Sequence, residues 1–75
     1  MMRTKSDLMK QLADTKRQIQ RGDMIIEAQR SLVGSLSEKG FERIQAQNLL
    51  AAFELSQEIR LGEMDRLLNM LDRTP

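Results

Sequence analysis

Apolar and small residues recur along the first half of the chain at alternating steps of four and three: Leu8, Leu12, Thr15, Ile19, Gly22, Ile26, Gln29, Val33 and Leu36. On a helix such spacing stays in line, so the pattern predicts a narrow, coiled-coil-like seam. A second set follows, with Ala46, Leu49, Leu50, Phe53, Ile59, Met64, Leu67, Leu68 and Leu71. Between the two sets stands Leu36-Ser37-Glu38-Lys39-Gly40-Phe41. A glycine there can enter the left-handed backbone region, and the apolar residue after it can fold back onto Leu36 in a Schellman turn. The expectation is therefore an all-α single domain over residues 1–75, a helical hairpin of two long antiparallel helices. The helices are expected over 6–39 and 43–72, with the turn at 40–42 made by Leu36, Gly40 and Phe41.

The start over residues 1–5 reads as frayed, with Thr4 or Ser6 as the cap and Asp7 at capping-box spacing from Thr4. Gly22-Asp23 is the one place where the first helix could break, which would make a three-helix bundle. The seam runs through it without an inserted residue, however, and one interior glycine costs only about 1 kcal/mol relative to alanine. The second helix opens without a good cap and ends at Asp72-Arg73-Thr74-Pro75, since proline does not continue a helix. The first helix is expected to become more buried toward the turn, where Ile25 and Leu32 widen its stripe. Counting back from Gly40 sets Leu36 opposite Ala46, Gln29 opposite Phe53, Ile26 opposite Gln57 and Gly22 opposite Arg60, so the middle of the seam is polar.

Composition narrows the chemistry. The 75 residues include no Cys and no His, which removes disulfides, thiolate metal sites and the usual general base near neutral pH. No catalytic residue, cofactor site or metal site is expected, and the chain reads as a non-enzyme. Glu54 and Glu58 sit one turn apart, but bundle metal sites pair such glutamates with histidine, and solvated acids are the favoured reading. No apolar run approaches a membrane span, so a soluble, cytoplasmic protein is the expectation. Six Lys/Arg fall within residues 1–21 against two Asp. That basic end, with Arg3, Lys5, Lys10, Lys16, Arg17 and Arg21, could follow a phosphate backbone. Two aspartates interrupt it, and the chain has only two aromatic residues on which bases could stack.

The chain resembles the short helical-hairpin hypothetical proteins of alphaproteobacteria, which have no assigned activity. The likeness rests on Ile19, Gly22, Ile26, Gln29, Leu32-Val33, Leu36 and Gly40 in the first helix. In the second it rests on Ala46, Leu49-Leu50, Phe53-Glu54, Ser56-Gln57 and Asp65-Arg66-Leu67-Leu68. It implies a fold and no activity. The sequence departs from that pattern with Phe41 and Arg60 where histidine is frequent and Arg43 where a capping threonine is usual.

A two-helix seam cannot cover the remaining apolar residues, so Ile25, Leu32, Leu49, Ala52, Leu55 and Ile59 are the expected interface of a homo-oligomer, a dimer forming a four-helix bundle. Three functions of different kind follow. The leading one is a structural and protein-interaction module that self-associates through helical faces. A second is a small adaptor or regulator that binds the helix of a partner protein in the same groove. The weakest is a nucleic-acid-associated protein using the basic N-terminal turns.

Overall fold

The computed structural model describes residues 4–75. They form two helices, α1 (Lys5–Ser35) and α2 (Phe41–Asp72), packed side by side in a hairpin of 56 × 18 × 15 Å. No strand occurs among the described residues. Thr4 is the cap of α1: its backbone is extended, and its Oγ1 accepts the Asp7 N–H at 3.1 Å, satisfying one of the amides that a helix start leaves open. Of the frayed start expected over residues 1–5, Lys5 is already helical, and residues 1–3 lie outside the described residues. α1 passes through Gly22 without a break, as α2 does through Gly62.

The turn differs from the expected one. α1 stops at Ser35 instead of Lys39, and α2 begins at Phe41 instead of residue 43, so the connection is 36–40. At the end of α1 the Ser35 hydroxyl donates to the Leu32 carbonyl at 2.8 Å, competing for the acceptor that the Leu36 N–H would use in a continuing helix. Leu36 turns extended, its N–H falls back to the Val33 carbonyl, and the Arg43 guanidinium donates to the Leu36 carbonyl at 3.3 Å. Gly40 is the cap of α2 with φ −82°. It makes no left-handed Schellman turn, and Phe41 lies 71% exposed instead of folding onto Leu36.

A Cβ at Gly40 would meet nothing closer than the Ser37 carbonyl at 3.4 Å, while Gly34 and Gly62 face open space. Gly34→Ala and Gly62→Ala should therefore each stabilise the hairpin by up to about 1 kcal/mol in urea melts, whereas Gly40→Ala, at the cap of α2 where alanine is disfavoured, should cost about 0.5 kcal/mol. Destabilisation by Gly34→Ala or Gly62→Ala would contradict the open space around those two positions.

The seam is buried or half-buried along its length. On α1 it comprises Leu8, Leu12, Thr15, Ile19, Gly22, Ile26, Gln29 and Val33. On α2 it runs Arg43, Ala46, Leu50, Phe53, Gln57, Arg60, Met64, Leu67 and Leu71, with the same alternation of three and four. Two corrections follow from the position of the turn. Gln57 lies over Gly22, and Gln29 reaches the Ala46 carbonyl. The expected contact of Gly22 with Arg60 is present, the guanidinium lying 3.0 Å from where a Cβ would stand; the partners of Gln57 and Gln29 shift, from Ile26 to Gly22 and from Phe53 to Ala46, because the connection is 36–40. Burial on α1 does grow toward the turn along the seam, where Gly22, Ile26, Gln29 and Val33 are all buried, but the stripe does not widen: Ile25 and Leu32 are exposed, having no third helix to cover them, and the two most enclosed side chains, Leu8 and Leu67, sit near the open end.

Candidate interaction surface

The middle of the seam holds a closed polar network. The Gln57 side-chain amide donates to the Ile19 carbonyl and to Asp23 Oδ1, both at 2.8 Å, while its Oε1 accepts from the Arg60 guanidinium at 3.1 Å. Further toward the turn, Gln29 donates to the Ala46 carbonyl at 2.9 Å. Gly22 makes this possible, since a side chain there would occupy the space taken by the Gln57 amide. Among the described residues no buried side-chain nitrogen or oxygen lacks a partner. The sequence pattern singled out Gln29, Gln57, Arg60 and Gly22 but missed Asp23, whose place directly after the seam glycine was the available signal. Through this network Gln57 and Gln29 each bond to backbone carbonyls of the facing helix, linking the two helices in the middle of the seam.

The flanks of the hairpin differ from each other. Residues that follow seam positions, Asp23, Glu27 and Arg30 on α1 with Glu54, Glu58 and Leu61 on α2, line one groove between the helices, of about 360 Å³. Four carboxylates meet one guanidinium there. Glu27, Glu54 and Glu58 take part in no ion pair among the described residues. Residues that precede seam positions fall on the opposite flank, by the heptad phase of two antiparallel helices. They include Ile25, Ala28 and Leu32 on α1, with Leu49, Ala52, Ser56 and Ile59 on α2, all exposed, and beyond this apolar middle the flank continues in polar and charged positions such as Asp14, Gln18, Arg21, Gln45 and Arg66.

This flank brings together five of the six residues expected at an interface. Ile25, Leu32 and Leu49 are each close to half-exposed and Ile59 two-thirds, with Ala52 among them. Leu55, 59% exposed, lies on the back of α2, directly away from the seam. It adjoins the flank through Ala52 and Ile59, which stand three and four residues away on the same helix. The turn residues Leu36, Gly40 and Phe41 line a separate hollow with Arg43 at the tip of the hairpin.

The basic first turns fall on two stripes of α1: Lys10, Arg17 and Arg21 share one exposed face at i, i+7 and i+11, and Lys5 and Lys16 share another. Arg17 on the first stripe is paired with Asp14 of its own helix; Arg3 lies outside the described residues. At the other end, the hydrogen bond and charge of Glu63 push the Arg66 guanidinium above its ordinary pKa. Among the described residues no group of three or more acidic side chains gathers where it could hold a metal ion, and no helix is long and apolar enough to cross a membrane.

No family model, curated protein or solved structure matches this chain.

Proposed function

We propose that this protein is a structural and protein-interaction module of the cytoplasm, acting through the apolar flank of its hairpin and not through bond-making chemistry. The observation that carries this reading is the flank itself: Ile25, Leu32, Leu49, Ala52 and Ile59 lie exposed on one side of a hairpin whose seam is already closed. Scattered single apolar residues on a surface need no explanation, but a contiguous set spanning two helices marks a docking surface. Rigid helices on either side of a polar lock hold that set in a fixed geometry, so little ordering remains to be done when a partner binds.

A photo-crosslinking amino acid at position 52, on the apolar flank, and at position 58, in the acidic groove, tests the reading in producing cells. Protein adducts are expected from position 52 and not from position 58. Adducts from neither position, or from 58 alone, contradict it.

A further inference from the structure

We propose that the occupant of the apolar flank is a second copy of this chain, docked about a two-fold axis as a four-helix bundle, and that the assembly stops at two. This rests on the reading of the flank as a docking surface and adds the partner and the stoichiometry.

Surface area argues for a partner of this size. The chain exposes 5970 Å², whereas a compact folded monomer of 8.7 kDa exposes about 4,700 Å². The surplus of about 1,200 Å² per chain is what each member contributes in a permanent homodimer, where the pair together bury roughly 2,000 Å² or more. A hairpin 18 Å across and 15 Å deep has no second layer, and a folded domain requires at least two layers around a core. The shape of the flank argues for a second hairpin. The apolar set spans both helices, with Ile25 and Leu32 on α1 and Leu49, Ala52 and Ile59 on α2. A single helix laid against it would cover one helix face or the groove between them, whereas the same two-helix face of another copy matches its width and length.

Charge argues for closure at two. The groove on the opposite flank is lined by Asp23, Glu27, Glu54 and Glu58, with Arg30 as the one cation in that lining. Set against its own copy, that groove would bring eight carboxylates together with two guanidinium groups, so it repels self-docking and stays in water. A flank that is apolar in its middle and a groove whose middle repels its own copy favour an isologous pair over an open chain of hairpins.

The absence of cysteine makes the test direct. Sedimentation equilibrium of the purified chain at micromolar concentration is combined with maleimide labelling of two single-cysteine variants, Ala52→Cys and Glu58→Cys. Expected are a mass twice that of the chain, rapid labelling at position 58, and labelling at position 52 slower by about tenfold or more, as burial in a stable interface produces. Ala28→Cys reports on the same flank from α1 if circular dichroism shows that the Ala52 variant has lost helicity. A monomer with both thiols fast, a dimer protected at position 58, or masses above two each overturn the proposal. The crosslinking result separates its failure from that of the docking-surface reading. A purified monomer that still yields adducts at position 52 in cells has that flank covered by a different protein, whereas a monomer without adducts loses both.

Discussion

Replacing Gly22 with alanine should cost about 2 kcal/mol of stability, although the same change raises intrinsic helix propensity by about 1 kcal/mol. The two effects oppose each other, and geometry decides. An alanine Cβ at this position would overlap Gln57 Oε1, lie 2.8 Å from its Cδ and 3.0 Å from the Arg60 guanidinium. Gln57 is only 6% exposed, so it cannot move aside into solvent without leaving the seam. Moving it breaks the hydrogen bonds to the Ile19 carbonyl and to Asp23. Overpacking costs roughly 1–3 kcal/mol and a stranded buried amide about as much again; the propensity gain offsets only part of this. Urea denaturation at one fixed protein concentration measures the net effect, with Gly34→Ala as the control. Equal stabilisation by both substitutions would show that Gln57 does not pack over Gly22.

That contrast between two helical glycines also marks what the sequence could disclose. Heptad phase carried the fold, because a narrow stripe sustained over nine positions is compatible with little else than a long helix against one neighbour. Phase alone also put Ile25, Leu32, Leu49, Ala52 and Ile59 beside the seam. It could not separate the roles of Gly22 and Gly34, since that depends on which α2 residue lies opposite. The opposite residue is set by the turn, and there the sequence misled. Gly40 and Phe41 have the residue types of a Schellman turn, but α1 already ends at Ser35, whose hydroxyl competes for the Leu32 carbonyl, and Gly40 serves as the cap of α2 at negative φ. A hydroxyl competing for one carbonyl is a local event that residue types do not rank against a glycine five positions later. It moved the turn, and with it the partners of Gln29 and Gln57, while Arg60 still meets Gly22. The acidic groove went unread for a related reason: its four carboxylates come from both helices and converge only once the positions following each seam residue share a side.

Leu67→Ala should produce the largest loss of any single truncation, about 3 kcal/mol within the range of roughly 2–5 found for enclosed leucines. Leu67 has no exposed surface at all, so its removal forfeits both the transfer of its methyl groups from water and the contacts of the atoms lining the space left behind. A hairpin one layer thick has few neighbours that can collapse into that space. The fraction at stake is large, since a domain of this length is stable by on the order of 4–11 kcal/mol. The adjacent leucine supplies the control: Leu68 follows the seam and is 43% exposed, so Leu68→Ala should cost less than half as much. Location adds a second readout. Leu67 packs near the open end with Leu8 as the other fully enclosed side chain, whereas the Gln57 and Gln29 hydrogen bonds lie in the middle and toward the turn. Amide hydrogen exchange in Leu67→Ala should therefore accelerate first in the early turns of α1 and the last turns of α2, with the segment from Gly22 to Gln57 protected longest. Uniform acceleration along both helices, or equal losses for Leu67→Ala and Leu68→Ala, would refute the assignment of Leu67 as the anchor of the open end.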